Sequence, residues 1–310
     1  MTNKIFITGS AGCIGHYIIE DLCNLDIDYH LYLLIRNPKK LHKKFHNNKK
    51  ITIIEGSLEE INKQENLLQE IDYLIHIATN WNGAGGTKLI NIDKTKELFE
   101  LCNPTKLKKA VYFSTASILG PGNKAISEAE KYGSSYVRSK YLAHQMIPNL
   151  KIKHKVITVF PTMVFGGDNN YPKSHISEGI TPCLKYMNIL KYIYIDGKFH
   201  FLHGKDIAKV SVHLLLNKTN KSEYVLGNRE ISVKEALETI CKVFNIKQLF
   251  KIKISMNVIF LLSKVLRIKI GPWEKHCMEN PYMVFDTVNP ESFNLKSSFP
   301  TLESVLVASK

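Results

Sequence analysis

The chain has 310 residues, 44% of them hydrophobic, and a formal net charge of +14, enough apolar content for a large core and for a nucleotide domain with a smaller companion. The charge does not make it a specific nucleic-acid binder. Of the 42 cations 38 are lysines, and only Arg36, Arg138, Arg229 and Arg267 carry the planar fork that grips phosphates and base edges.

The six cysteines (13, 23, 102, 183, 241, 277) form no C-x-x-C pair and no cluster with histidines. That pattern argues against a disulfide framework or a metal site and for reduced thiols in the cytoplasm. An apolar run, Ile5 to Ile7, leads at once into Gly9, Gly12 and Gly15, spaced G-x-x-G-x-x-G, and then into Ile14, Ile18, Ile19 and Leu22 on one helical face. Because the turn interrupts this run after three residues, no signal peptide is expected. Strand, glycine turn, helix is the context in which such a spacing holds a dinucleotide. Gly9 permits the tight turn, Gly12 the approach of a pyrophosphate, and Gly15 close packing of helix on strand. Ser10, Ala11, Cys13 and Ile14 complete the phosphate site at the free N–H groups of the helix.

Further along, His30 to Ile35 reads as a second strand ending in Arg36, and Lys39 to Lys50 as a surface helix and turn. Ile51 to Glu55 is a third strand closing on Gly56, Ser57 and Leu58, followed by a polar helical stretch from Glu59 to Ile71. A fourth strand, Tyr73 to Thr79, precedes a loop, Asn80 to Thr87, and a helix from about Lys88 to Cys102. Ala110 to Ser114, Ser135 to Met146 and Val156 to Phe160 read as strand, helix and strand. This alternation predicts an α/β fold with a doubly wound parallel sheet of Rossmann type. Residues 167–198 read as loop-rich, whereas a helix over Lys205 to Leu216 and a strand at Tyr224 to Leu226 return to the sheet. Helices over Ser232 to Phe244 and Met256 to Arg267, a proline-bearing tail and a short last helix follow. The expected division is 1–166 with about 203–228 as the dinucleotide domain, and 167–202 with 229–310 as a smaller substrate-binding lobe. The most apolar later stretch, 254–270, carries Lys264, Arg267 and Lys269 and is too short and too charged to span a bilayer.

The chemistry concentrates after the fifth strand. Thr115 follows its end, and Tyr136 and Lys140 lie four apart on the next helix, so both face one site. A lysine ammonium beside a phenol lowers the phenol's pKa, and a tyrosine so placed exchanges a proton with a carbonyl/alcohol pair. His76 sits mid-strand and reads as structural, and Asp206 reads as a helix N-terminal charge.

With these motifs in this order, the chain resembles the extended short-chain dehydrogenase/reductase superfamily, which includes sugar-nucleotide epimerases and dihydroflavonol-type reductases. The resemblance runs from the turn at 8–15, through Asn91 to Thr95, Thr115 to Gly120, Tyr136/Lys140, Pro161 to Gly166 and His203 to Ala208, to Asp286-Thr287. It implies that Thr115 bonds the substrate oxygen, Tyr136 exchanges its proton, and Lys140 holds the cofactor ribose and tunes Tyr136. It also implies cofactor contacts at Ser57, Leu58, Ala78, Thr79, Asn91, Pro161 and Val164. Phe160 and Leu119 depart from the arginine and the tyrosine that many members and the epimerases carry there, and Ser57 replaces a common aspartate.

Arg36 stands where NAD-binding members carry an acid, so NADP is the expected cofactor, with NAD as the alternative. The expected function is NADPH-dependent reduction of a small carbonyl compound. The alternatives are a nucleotide-sugar epimerase and a non-catalytic nucleotide- or RNA-binding protein. The expected partner is a small-molecule substrate, with no specific nucleic acid, no metal and no membrane. The resemblance allows a homodimer through the helices near 88–102 and 135–146.

Overall fold

The computed structural model describes residues 2–265, 267 and 269–309. Eight strands form one all-parallel sheet: β1 (Asn3–Thr8), β2 (Tyr29–Ile35), β3 (Ile51–Glu55), β4 (Tyr73–His76), β5 (Lys109–Phe113), β6 (Val156–Pro161), β7 (Glu223–Leu226) and β8 (Thr287–Val288). Their spatial order is β8-β7-β6-β5-β4-β1-β2-β3. The order reverses direction beside β1, the place where a doubly wound sheet opens a crevice at its C-terminal edge. Residues expected to form a separate lobe thus supply β8, paired with Val225 and Leu226.

Side-chain alternation along these strands builds two cores, as a sheet buried on both faces requires. Ile5, Ile7, Ile75 and Val111 pack with α1 (Cys13–Cys23). Phe6, Leu74, Ala110 and Tyr112 point the other way, against a helical segment over 84–100, called α2, and α3 (Ser135–Met146). α2 is α-helical at both ends and π-helical over Leu89–Lys94. Beyond β6 come α4 (His175–Leu184), α5 (Gly204–Leu216), α6 (Val233–Val243), α7 (Met256–Val265), α8 (Pro272–Glu279) and α9 (Leu302–Ala308). α5 returns to the first core beside α1. α6 and α9 pack together in a third cluster with Phe165 and Phe201.

Several elements differ from expectation for local reasons. The segment 39–50 is not a helix but two 3₁₀ turns, Pro38–Lys40 and Lys43–Phe45, started by the side chains of Asn37 and His42. β4 ends at His76 because the next backbone amides turn back onto β1: Ile77 N–H donates to the Thr8 carbonyl and Ala78 N–H to the Thr8 hydroxyl. The loop-rich region contains α4, started by the Ser174 hydroxyl. The helix expected over Met256 to Arg267 runs to Val265, and its Leu266 lies outside the described residues.

Asp206, in the first turn of α5, is fully buried. Its carboxylate accepts hydrogen bonds from the Ser297 hydroxyl (2.8 Å), Ser298 N–H (2.7 Å) and Phe299 N–H (2.9 Å). It is a structural clasp on the C-terminal tail, in keeping with the helix-terminal reading. Among the described residues no helix is long and apolar enough to cross a membrane, and no cluster of His, Cys, Asp and Glu could hold a metal ion.

Candidate active site

Parallel strands bring every strand-end motif to one edge of the sheet. At its centre is the turn between β1 and α1. Gly9 has φ +76°, and a Cβ there would lie 2.7 Å from Ala78 N; a Cβ on Gly15 would run into the Gly9 carbonyl and come 2.7 Å from Ser10 Cα. Both positions therefore require glycine. Gly12 is N-cap to α1, which has no side-chain cap and no acidic residue in its first turn, so its amides and dipole are open to an anion. Ser10 turns its hydroxyl inward to the Ile7 carbonyl (3.1 Å). The Cys13 thiol is buried, with its pKa raised to about 12. These two residues, with Ala11 and Ile14, offer a phosphate their backbone, not their polar side chains. The turn fits a dinucleotide pyrophosphate.

On one flank Arg36 is exposed at the end of β2 and has no hydrogen bond or ion pair among the described residues. Ser57 caps the 3₁₀ turn after β3 through Glu59 N–H (3.2 Å), with Leu58 buried beneath. On the other flank the loop after β4 is held by Asn91, in the π-helical stretch of α2. Its side chain accepts from Asn80 N–H (2.7 Å) and the Thr79 hydroxyl (3.0 Å), and donates to the Asn80 carbonyl (2.8 Å) and the Ser139 hydroxyl (2.9 Å). A π turn is a common device for aiming a side chain at a functional site. Pro161 ends β6, and Val164 lies in the short strand Met163–Phe165 just beyond it.

His76 is fully buried between β1 and α2. The Thr95 hydroxyl donates to the Ile90 carbonyl (3.0 Å), so it accepts from His76 Nε2 (2.8 Å), leaving Nδ1 to accept from the Thr8 hydroxyl (2.7 Å). Burial, with the Lys140 charge adding, lowers its pKa to about 3. It is a neutral strut under the turn, placed at the last residue of β4 and not in mid-strand.

Thr115, Tyr136 and Lys140 come together at the end of β5. The Thr115 hydroxyl donates to the Ser117 hydroxyl (3.2 Å) and accepts from Ser117 N–H (3.2 Å), with the Tyr136 phenol close enough for Thr115 to act on its pKa. Lys140 is buried without a carboxylate partner among the described residues, Nζ donating to the Phe113 carbonyl (2.7 Å) and lying 5.1 Å from the centre of the Tyr112 ring. Burial brings its pKa down to about 7. The Tyr136 phenol lies above its ordinary pKa, because burial outweighs the lowering by the neighbouring Thr115 hydroxyl. This is opposite to the expected lowering by Lys140. The ammonium is engaged with Phe113, and the phenol is covered by Trp81. Ser114 Oγ, next to Thr115, is buried without a hydrogen-bond partner among the described residues, a group that a bound polar atom would satisfy.

Trp81 escaped the sequence reading. Its ring stacks on Tyr136 with centroids 3.8 Å apart and planes at 17°, and His175, at the start of α4, meets it edge-on at 5.0 Å. The signal available was its position, two residues past Thr79, as one of two tryptophans in the chain. Phe160 is buried in a cluster with Ile118, Leu119, Val137 and Val225, which explains an apolar residue in place of arginine there. A cavity of about 360 Å³ lined by Tyr17, Glu20, Lys44 and Tyr171 contains none of the catalytic candidates in its wall.

The sheet, the turn at its switch point and the set at the end of β5 are those of an extended short-chain dehydrogenase/reductase. A model of the NAD dependent epimerase/dehydratase family matches residues 5–227, and the chain belongs to that family of enzymes. It is 28% identical over 262 residues to the UDP-N-acetyl-alpha-D-glucosaminuronate decarboxylase of Bacillus cytotoxicus, covering 77% of this chain and 80% of that protein. It is 24% identical to the hybrid PKS-NRPS synthetase pvhA of Talaromyces variabilis over 82% of this chain, which spans 6% of that protein's length. Among solved structures, UDP-N-acetylglucosamine 4-epimerase from Methanobrevibacter ruminantium M1, in complex with UDP-N-acetylmuramic acid, superposes with TM-score 0.70 at 18% identity, covering 100% of this chain and 97% of that one. The Bordetella bronchiseptica enzyme WbmG in complex with NAD gives TM-score 0.70 at 14% identity, over 99% and 93%. At these identities the structures share the fold.

Proposed function

We propose that the chain is an NAD(P)-dependent enzyme acting on a nucleotide-linked sugar, oxidising one ring hydroxyl and restoring it within the turnover, as an epimerase does. The observation that carries this reading is the half-buried Tyr136 beside Thr115 at the end of β5, with Lys140 one helical turn away. Tyr136 takes the proton of the reacting hydroxyl and later returns it. Thr115 orients the oxygen, and Lys140, near neutrality, supplies an ammonium for the cofactor ribose and for the developing phenolate. A bound nicotinamide supplies the place for the hydride and a positive charge that favours the phenolate. The curated decarboxylase and the solved epimerase, both named for UDP-linked sugars, support this substrate class over a small carbonyl compound. A 4,6-dehydratase is disfavoured, because that chemistry uses an Asp-Glu pair where Ala116 and Ser117 stand.

One observation favours the NADPH-dependent reductase as the second reading. Arg36 is exposed and unpaired among the described residues where a 2′-phosphate would lie. We accordingly propose NADP over NAD, a choice that titration of both cofactors against wild type and Arg36→Ala tests. Tighter binding of NADH by wild type, or unchanged NADPH affinity in the variant, refutes it. For the reaction, purified protein is incubated with UDP-glucose or UDP-N-acetylglucosamine. Conversion to the epimer with no net change in nicotinamide absorbance supports the proposal. Loss of NADPH in proportion to an added carbonyl compound, with no epimer formed, overturns it.

A further inference from the structure

Away from the sheet, the C-terminal region combines exposed apolar side chains with cations that have no carboxylate partner among the described residues. Residues 186–194 and 248–253 lie side by side. Ile193–Tyr194 pairs with Ile252–Lys253, the Tyr192 ring stacks on Phe250 at 4.4 Å, and the Gln248 amide donates to the Lys191 carbonyl. On this unit Tyr186, Ile189, Leu190, Leu249, Phe250 and Ile252 are exposed, Leu249 to 83%. α7 follows directly, with Val258, Leu261 and Val265 on one face and all exposed. No described side chain of that helix is buried. A surface helix ordinarily turns such a stripe into the core, and an exposed patch of this kind marks a binding face.

The charge pattern narrows the partner. No Asp or Glu occurs between Glu178 and Asp196, nor between Glu238 and Glu274, yet Lys185, Lys247, Lys264, Arg267 and Lys269 lie in those intervals. None of these five has a carboxylate partner among the described residues, whereas Lys251 and Lys253 are taken by Glu238 and Asp196 at the margin.

We propose that this face docks on the surface of an anionic phospholipid bilayer, its apolar side chains entering the interface and its cations meeting lipid phosphates. A second copy of the chain would bring the same cations against themselves. Nucleic acid would leave the apolar tips without a role. This goes beyond the expectation of no membrane partner, which rested on spanning length; the attachment is peripheral. Each lysine near an anionic surface contributes about a fivefold gain in partitioning.

The test is flotation of the full chain with vesicles of phosphatidylcholine alone and of phosphatidylcholine with phosphatidylserine. Wild type is expected to float with the second and not the first. Leu249→Glu/Phe250→Glu and Lys247→Glu/Lys264→Glu are each expected to weaken flotation by about tenfold or more. Lys151→Glu/Lys153→Glu makes the same change in net charge at exposed positions off the face and is expected to leave flotation nearly unchanged. Circular dichroism and thermal melting establish that each variant is folded. Absence of wild-type flotation, equal flotation with both vesicles, or an equal loss in the off-face variant overturns the proposal. So does a wild-type dimer that Leu249→Glu/Phe250→Glu dissociates, which would make a second copy the occupant.

Discussion

Replacing Asn91 by alanine tests whether the loop over the reacting groups is held by one side chain. The substitution deletes four hydrogen bonds, two of them to the Asn80 backbone. The Thr79 and Ser139 hydroxyls can rotate, and Ser139 keeps its bond to the Tyr136 carbonyl (2.8 Å), so their loss costs less than about 1 kcal/mol each. Among the described residues Asn80 N–H and C=O make no other hydrogen bond, and a buried unsatisfied backbone group costs about 1–3 kcal/mol. Asn80 is half-buried at the lip of the site, where water offsets part of that cost. The expected destabilisation is about 3 kcal/mol, read as a lower urea midpoint at unchanged slope. In a Trp273→Phe background Trp81 is the sole tryptophan, so release of the loop also shifts its emission to the red as the Tyr136 stack opens. A loss below about 1 kcal/mol with unchanged emission would refute the idea that Asn91 holds this loop.

Tyr136→Phe should leave dinucleotide affinity nearly intact and reduce turnover by about a hundredfold or more, because only the proton-exchanging group is removed; equal turnover by the two proteins ends the mechanistic reading. Lys140, with its pKa near 7, should make dinucleotide binding weaken as pH rises through neutrality, and Lys140→Met should be flat over that range in the same titration; parallel curves would show that its ammonium is not used. His76 has a folded pKa of about 3 against an ordinary 6.5. Its neutral form therefore contributes stability that is fully present above pH 6.5 and is lost as pH falls toward 3. The stability gap between wild type and His76→Asn should narrow over that interval in urea titrations at fixed pH steps; a constant gap counts against the strut.

Local signals located most of the framework. Ile51–Glu55 and Ser135–Met146 have the bounds expected of them, since a closing glycine marks one and a serine cap the other. The π stretch in α2 was not legible, because an apolar period identifies a helix but not a one-residue widening inside it. α4 was hidden by Gly179 and by Pro182 near its end, residues that read as loop formers when packing is unknown. The pairing of Thr115, Tyr136 and Lys140 was readable from order and spacing, but the electrostatics were not. The Lys140 ammonium is held by the Phe113 carbonyl and the Tyr136 ring by Trp81, two contacts between elements whose approach no local pattern encodes.

The Asp206 clasp bears on how the chain is made. Its partners lie 91 to 93 residues downstream, and β8, the edge strand beside β7, is nearer the C-terminus still than α7 and α8. During synthesis β1 to β7 leave the ribosome while Asp206 still faces water, and its carboxylate is buried only after the segment 297–299 has emerged. Closing so long a loop carries an entropic cost that no local contact repays beforehand. The nascent chain should therefore carry a formed but unlatched sheet for the time needed to add roughly its last quarter, an interval in which α5 and the free edge of β7 are open to proteases and to other strands.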